Sequence, residues 1–180
     1  MNEGLIPNRY AKALYKFSQE KGEAKQVYEE MKQLSNSFAM VDTLRKAIDN
    51  PYLHALDKEK VLLTASGAKK DGCVDKFIMM VIKNNREECF RSIALAYEKI
   101  YRTANGIAQV EITTANKMPA SELAKIKNVV AIHEKGKIIE LTTHVDNDLI
   151  GGFVVKIDSV LLDASIKNEL KKLRLKLLSN

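Results

Sequence analysis

The sequence predicts an α+β protein, in which an N-terminal all-α bundle of about six helices is followed by a small C-terminal α+β domain. Two observations favour this fold class. Apolar residues recur at helical spacing in the first part of the chain, whereas the later part contains short segments rich in β-branched residues. The change falls at Asn105-Gly106, a pair that is typical of turns. We therefore expect two domains, residues 1–105 and 106–180.

The first three helices are delimited by residues that begin or end helices. Pro7 suits the first turn of a helix, and Gly22 ends that helix. A second helix follows, and a third, shorter one ends before Pro51, because a residue that precedes proline disfavours the helical region. The apolar positions at helical spacing are, helix by helix, Tyr10, Leu14 and Phe17; Val27, Met31, Leu34 and Phe38; and Leu44 and Ile48.

The other three helices have similar signals. Asp57 is expected to cap the fourth helix and Gly67 to end it. Gly72 precedes a strongly apolar fifth helix that stops near Asn84-Asn85, and the sixth helix runs up to Asn105-Gly106. Their apolar positions are Val61, Leu62 and Ala65; Val74, Phe77, Ile78, Met80, Val81 and Ile82; and Phe90, Ile93, Ala94, Tyr97, Ile100 and Tyr101.

Strand, helix and hairpin signals follow one another in the second domain. Residues 107–114 and 138–143 suit strands on either side of a helix that begins after Pro119. The β-rich runs before and after Asp158-Ser159 are short and close together, which predicts a hairpin. Two residues can cap the last helix through a side-chain oxygen: Asp163 and Ser165.

The last helix is amphipathic and basic. At 100° per residue, one apolar stripe is expected to pack on the strands, and it consists of Ile166, Leu170, Leu173 and Leu177. Leu175 falls opposite that stripe, and Leu178 lies well off it, among Lys171 and Arg174. Two leucines on a basic outer face indicate an apolar contact with a cationic rim, which suits an acidic amphipathic helix. Isolated exposed leucines are also common on ordinary surfaces.

The net charge of +6 is concentrated in this helix, since residues 165–180 hold five Lys and Arg residues against Glu169 alone. A nucleic-acid-binding protein more often shows a broad basic face with interleaved aromatic residues. A nucleic-acid-binding adaptor that uses the C-terminal helix stays open as the alternative function. Steep salt dependence of binding would identify it, because nucleic-acid affinity depends on the release of counterions.

Composition and cysteine usage are typical of an ordinary soluble globular protein. Hydrophobic residues make up 46% of the chain, and the mean hydropathy is −0.22. No apolar run approaches the roughly 18 residues of a membrane-spanning helix, and the first residues do not resemble a signal or transit peptide. Cys73 and Cys89 are expected to be free thiols in a reducing compartment.

The polar residues predict no catalytic, cofactor-binding or metal site. His54, His133 and His144 do not form an i, i+4 pair, and no cysteine lies near them in sequence. Gly151-Gly152 lacks the further glycine and the Lys-Ser/Thr pair of a phosphate loop, so a bulge or a close backbone approach explains it better. Three aspartates flank strands without the spacing of a calcium loop, and we interpret them as turn residues: Asp146, Asp148 and Asp158.

Three segments together resemble a known family. The first helix contains Arg9-Tyr10-Ala11-Lys12-Ala13-Leu14-Tyr15, and the fifth is followed by Asn84-Asn85-Arg86. The most specific segment runs from Ile139-Glu140-Leu141 to Leu149-Ile150-Gly151-Gly152-Phe153-Val154-Val155-Lys156 and closes at Asp163-Ala164-Ser165. In order, spacing and total length the chain resembles the delta subunit of bacterial F-type ATP synthases, whose mitochondrial homologue is the oligomycin-sensitivity-conferring protein. It departs from the family at Asp158-Ser159, where Gly-Asp is usual, and at Ala164, where Gly is frequent.

The resemblance implies a peripheral stator subunit without catalytic activity or cofactor, present as one copy in the complex. The helical domain would bind the N-terminal segments of alpha subunits, and the smaller domain would bind the C-terminal ends of b-type peripheral-stalk subunits. The complex would hold it on the cytoplasmic side of the bacterial plasma membrane without insertion into the membrane or contact with nucleic acid.

The resemblance also suggests which residues contact these partners, although most apolar side chains of a bundle fill its own core. The residues expected to border a groove for the alpha N-termini are Tyr10, Ala13, Leu14, Phe17, Phe77, Met80 and Val81. The residues expected to contact the b stalk are Lys171, Arg174, Leu175 and Leu178.

Overall fold

The computed structural model describes residues 4–116, 118–133, 136–157 and 160–178 of the chain. It confirms the predicted α+β fold class, with helices in the first part and a mixed α/β arrangement in the second. The chain divides into two compact units between Ala104 and Asn105. We call them the helical unit and the sheet unit.

Six α-helices and one short 3-10 turn form the described part of the helical unit. The α-helices are α1 (Leu5–Glu20), α2 (Ala24–Met40), α3 (Asp42–Ile48), α4 (Ala55–Ser66), α5 (Cys73–Lys83) and α6 (Phe90–Ala104), with the 3-10 turn at Glu87–Cys89. Helix α6 packs on α1 and α2, and α4 packs on α2 and α5. Ile93, Ala94 and Tyr97 of α6 are completely buried, so α6 lies at the centre of the bundle.

The start of α4 differs from the prediction. The helix begins at Ala55, so His54 occupies the cap position and Asp57 lies inside the first turn. The extended backbone of His54 (φ −64°, ψ 147°) starts the helix early, and its carbonyl accepts hydrogen bonds from the backbone N–H groups of Asp57 and Lys58 at 3.0 Å. The carboxylate of Asp57 therefore does not cap the helix, but its negative charge in the first turn interacts favourably with the helix dipole. Gly67 ends the helix in the left-handed conformation (φ +66°), as predicted.

The sheet unit contains a four-stranded sheet, one crossover helix and a terminal helix. Its elements are β1 (Ile107–Thr114), α7 (Ala120–His133), β2 (Ile138–Val145), a 3-10 turn (Asn147–Leu149), β3 (Gly152–Ile157), β4 (Val160–Ser165) and α8 (Ile166–Leu178). The strand order is β2-β1-β3-β4. Strands β1 and β2 are parallel and joined through α7, whereas β3 is antiparallel to both β1 and β4.

The predicted hairpin is confirmed by the pairing of β3 with β4, which begins at Ile157 and Val160. Asp158-Ser159, the proposed turn between them, lies outside the described residues. The glycine pair at the start of β3, Gly151-Gly152, permits a close approach of two backbones. A Cβ atom on Gly152, which has a φ of +77°, would overlap the carbonyl oxygen of Ala164 on β4. The predicted close approach is therefore present.

One face of the sheet forms the core of this unit. Residues of β1 alternate between the two faces, and Ala108, Val110 and Ile112 point inward and are completely buried. Val110 and Ile112 pack with Val155 of β3 and with Val130 of α7. Hydrophobic residues that are partly buried extend this cluster, and they are Leu123, Ile126, Ile139, Leu141, Phe153 and Ile157. Helix α7 therefore covers this face of the sheet.

Helix α8 begins at a side-chain cap. The hydroxyl of Ser165 accepts a hydrogen bond from the backbone N–H of Asn168 at 3.2 Å, which is the geometry of an N-cap. The carboxylate of Asp163 accepts from the backbone N–H of Ser165 at 2.9 Å, and the hydrogen bonds from Ser165 lower the pKa of that carboxyl. Of the two proposed caps, Ser165 caps the helix and Asp163 orients Ser165.

The expectation that the apolar stripe of α8 packs on the strands is wrong. Its members, Ile166, Leu170, Leu173 and Leu177, are between 46% and 80% exposed. The helix follows β4, which is an edge strand, while α7 occupies the core face of the sheet. Amphipathic spacing shows that one face of a helix avoids water, but it does not show which surface buries that face. Within the described residues, most of the stripe stays exposed.

Candidate helix-binding groove

A surface groove lies between α1 and α5. Its apolar part is a cavity of about 270 Å³ lined by Ala13, Leu14, Phe17, Lys76, Phe77 and Met80. Leu14 and Phe77 are buried and form its floor, whereas Ala13 and Met80 are exposed. Ala13 has a small side chain, which leaves space above the floor. The geometry is that of an open trough for apolar side chains of a partner.

The groove continues into a second, more polar part. This cavity of about 480 Å³ is lined by Ile6, Arg9, Tyr10, Ala13, Met80, Asn84 and Arg86. Ala13 and Met80 line both cavities, so the two parts are continuous, and we call them together the α1–α5 groove. The rings of Tyr10 and Phe77 meet edge to face, with their centroids 6.3 Å apart, and thereby connect the two helices.

Six of the seven residues predicted for this site line the groove. The exception is Val81, which is completely buried and lines neither cavity. The sequence prediction missed Arg9, Arg86 and Lys76, which add positive charge along the groove. The signal for the two arginines was present, because both lie in segments that resemble the family.

The end of α5 has a hydrogen-bonded turn that holds Arg86 at the groove. The backbone N–H of Arg86 donates to the carbonyl of Val81 at 3.2 Å, and that of Asn85 donates to the carbonyl of Ile82 at 2.9 Å. These are the two bonds of a Schellman motif. Asn85 has a φ of +53°, a left-handed conformation that asparagine adopts more readily than most residues. The segment after α5 therefore has a defined backbone rather than an irregular one.

The other wall of the groove, α1, is fixed to the centre of the bundle by a buried polar contact. The hydroxyl oxygens of Ser18 on α1 and Tyr97 on α6 lie 2.8 Å apart, and Tyr97 also donates to the carbonyl of Ala24 at 3.2 Å. Both side chains are completely buried, and burial raises the pKa of Tyr97 to about 12. The phenol therefore stays neutral and hydrogen-bonded at physiological pH.

A second, larger cavity lies on the other side of α5, between α4 and α5. It measures about 870 Å³, and its lining includes Leu53, Leu56, Met79, Ile82 and Lys83. At its base the ammonium group of Lys58 donates to Glu87 at 2.6 Å, and both side chains are largely buried. Burial raises the pKa of Glu87, but the hydrogen bond from Lys58, a backbone hydrogen bond and the charge of Lys58 together outweigh this effect and leave the pKa below its ordinary value.

The four residues predicted to contact a stalk lie on α8. Lys171, Arg174, Leu175 and Leu178 are all exposed, with 59% of Leu175 and 74% of Leu178 accessible to solvent. Because the inward stripe is exposed as well, α8 presents apolar side chains on more than one side. Three aliphatic residues of β4 are also exposed: Val160, Leu161 and Leu162. The apolar surface at the end of the chain is therefore larger than predicted.

Residues with the potential for other chemistry are engaged in local contacts. His144 lies 3.1 Å from the carboxylate of Glu111, and Asp146 accepts a hydrogen bond from the backbone N–H of Asp148 in a turn. The side chain of His133 and the whole of Asp158 lie outside the described residues. Among the residues that the structure describes, no group of three potential ligands could hold a metal ion. Of the described helices, none is sufficiently long and apolar to cross a membrane.

The structure defines a protein of two units, a helical bundle that carries a surface groove and a small unit built on a four-stranded sheet. A family model described as ATP synthase delta (OSCP) subunit matches residues 6–177. The ATP synthase subunit delta of Azobacteroides pseudotrichonymphae is 33% identical over 97% of this chain and 98% of its own length, and that of Parabacteroides distasonis is 34% identical over 100% and 99%. The chain therefore belongs to the ATP synthase delta (OSCP) subunit family.

A solved structure supports the fold. A chain in the cryo-EM structure of the Toxoplasma gondii mitochondrial ATP synthase hexamer superposes with a TM-score of 0.73 at 20% sequence identity. The match covers 96% of this chain and 97% of that one. The architecture of helices followed by a small sheet is therefore shared despite little sequence identity.

Proposed function

We propose that this chain is a non-catalytic stator subunit of an F-type ATP synthase, which links the alpha/beta catalytic head to the b-type peripheral stalk. Each unit would bind one of these partners, so that the head does not rotate with the rotor. Membership of the delta (OSCP) family supports the assignment to the complex. The α1–α5 groove is the observation that best supports a role in binding the head. The chain acts as one peripheral copy on the cytoplasmic side of the bacterial plasma membrane.

In the helical unit, the partner is the N-terminal segment of an alpha subunit, bound as an amphipathic helix. The apolar floor of the α1–α5 groove accepts its apolar side chains, and Met80 adapts to their shape. Arg9, Arg86 and Lys76 favour a partner with acidic residues. Burial of the partner's apolar side chains supplies the affinity, and the cations orient it.

In the sheet unit, the partner is the C-terminal end of a b-type stalk subunit, bound along α8. The exposed Leu175 and Leu178 supply apolar contacts, and Lys171 and Arg174 form a cationic rim for an acidic helix. The exposed stripe that includes Leu173 adds a second apolar row to the same helix. A stalk helix that covers α8 would bury these side chains.

A steric substitution in the groove tests this function. Ala13 is exposed and lines both parts of the groove, so Ala13→Phe fills space without loss of core packing. We expect the affinity for a synthetic peptide from the alpha N-terminus to fall at least about tenfold, which corresponds to about 1.4 kcal/mol. Isothermal titration calorimetry with the full chain measures this change.

The matched control is Ala39→Phe, the same substitution at an exposed alanine of α2 that lines neither part of the groove. It should leave peptide affinity unchanged, and urea unfolding should show both variants to be as stable as the parent chain. Equal peptide affinity of the parent and Ala13→Phe would exclude the α1–α5 groove as the binding site for the head.

A further inference from the structure

Two segments that are far apart in sequence converge at the polar end of the α1–α5 groove. Arg9 comes from the Arg9–Tyr15 segment of α1, and Arg86 comes from the turn after α5. Both line the same cavity of about 480 Å³, together with Tyr10 and Asn84. Apolar contact alone does not explain why two arginines line the same end of the groove.

Arg9 and Arg86 differ in their partners from two other arginines of the helical unit. Within the described residues, no carboxylate forms a salt bridge with Arg9 or with Arg86, although other arginines do have such partners, as Arg45 has in Asp49 and Arg102 has in Glu98. Two like charges that share a cavity repel each other, and an anion between them removes that repulsion. The planar guanidinium group binds a carboxylate through two parallel hydrogen bonds.

The position of Arg86 is determined by the backbone and not only by its long side chain. Its N–H group completes the Schellman motif with Val81, and Asn85 supplies the left-handed residue that this motif requires. Arg9 lies on α1, which is fixed to α6 through Ser18 and Tyr97. The two arginines therefore project from fixed elements, as expected of a preorganised binding site.

We propose that Arg9 and Arg86 form a carboxylate-binding subsite that recognises one acidic side chain of the helix bound in the α1–α5 groove. This inference rests on the proposed function of the groove. Because the subsite is continuous with the apolar part through Ala13 and Met80, a single amphipathic helix fills both. Its apolar residues lie over Leu14, and its carboxylate lies at the arginine end. The subsite fixes the direction and register of that helix.

The experiment is a double-mutant cycle with the full chain and a synthetic peptide from the N-terminus of its alpha subunit. Each acidic residue of the peptide is changed in turn to its amide, and each peptide is titrated against the parent chain, Arg9→Gln and Arg86→Gln. We expect each arginine substitution to weaken binding by about fivefold to tenfold, because a charge-assisted pair is lost. For one acidic residue of the peptide, the change to the amide should weaken binding to the parent chain by the same factor. The same peptide change should weaken binding to the arginine variants little further.

Two further variants separate this specific pairing from the general attraction of charge. Lys83→Gln removes one positive charge from a residue that lines neither part of the groove, and should leave affinity unchanged. Arg9→Lys keeps the charge but loses the two-pronged geometry, so its affinity should lie between those of the parent and Arg9→Gln.

The possible failures are distinguishable. Absence of binding between the parent chain and the parent peptide would contradict the proposed function itself. Binding that Ala13→Phe weakens but that neither arginine variant changes would leave the groove in place and overturn the subsite. A loss with Lys83→Gln equal to the loss with the arginine variants would also overturn it, because charge alone would then explain the effect. All variants are substitutions of exposed side chains, and circular dichroism verifies their fold.

Discussion

Substitution of Leu173 by serine separates a structural role of α8 from a binding role. Leu173 is 56% exposed in the chain alone, so the change should lower the free energy of unfolding by no more than about 0.5 kcal/mol. Complete burial of a leucine contributes about 1.5–3 kcal/mol. The exposed 56% of this side chain then corresponds to roughly 0.8–1.7 kcal/mol in a complex that covers it. Stalk affinity should fall by about fourfold to twentyfold.

The assay compares stability and binding for the same full-length variants. Urea unfolding followed by circular dichroism gives the free energy of unfolding, and titration with a soluble peptide from the C-terminal end of the b-type stalk subunit gives affinity. Leu175→Ser, on the opposite side of the helix and 59% exposed, should behave in the same way. Leu95→Ser is the matched control, because Leu95 is an exposed leucine of α6 in the helical unit. Leu95→Ser should change neither the free energy of unfolding nor the affinity for the stalk peptide by much.

The opposite pattern would refute this reasoning. If Leu173→Ser destabilised the chain by about 2 kcal/mol or more, as loss of a buried leucine does, and left stalk affinity unchanged, the stripe would be packed on the sheet in solution. The proposal that α8 binds the stalk would then have lost its largest apolar surface.

Two further predictions concern buried polar contacts of the helical unit. Tyr97→Phe removes the hydroxyl that lies 2.8 Å from Ser18 and should reduce the free energy of urea unfolding by about 1–3 kcal/mol. Lys58→Met leaves the buried carboxylate of Glu87 without its partner and should lower the free energy of unfolding by about 3–5 kcal/mol. The double variant Lys58→Met/Glu87→Leu should recover most of this loss, because it removes the buried charge as well. Because the pKa of Glu87 is lowered in the folded state, its ionised form contributes stability above its ordinary pKa of 4.5. That contribution should disappear as pH falls through the lowered pKa, and the double variant should lack this part of the pH dependence.

Much of the fold could be predicted from local signals in the sequence. Val27, Met31, Leu34 and Phe38 recur at helical spacing, and all four are buried on one side of α2. The helical spacing of apolar residues is sufficient to identify this face of α2 as buried, because other helices of the bundle cover it. The hairpin of β3 and β4 could be predicted for a similar reason, since both strands and their separation lie within one short segment.

Other features of the fold and the groove depend on tertiary packing and could not be predicted from local sequence signals. Apolar and polar residues alternate imperfectly in the sequence of β1, because Ile107 lies on the face opposite to Ala108, and the small Ala108 gives little apolar signal although it is completely buried. Leu173 of α8 has the spacing of a core residue but is 56% exposed. In the groove, the apolar floor could be predicted from helical spacing, whereas Arg86 reached it through the turn at Asn85. Spacing along one helix contains no information about such a neighbour.

The exposed edge of strand β4 has a consequence for the stability of the chain before it joins its complex. Among the described strands it pairs only with β3, so no described strand pairs with its other edge, beside the exposed Val160, Leu161 and Leu162. Natural proteins usually protect such an edge with charges, prolines or bulges, because it is a template for another strand. A surplus of newly made, unassembled chain would therefore self-associate or attract chaperones and proteases. Production in proportion to its partners, with rapid capture by them, would keep this pool small.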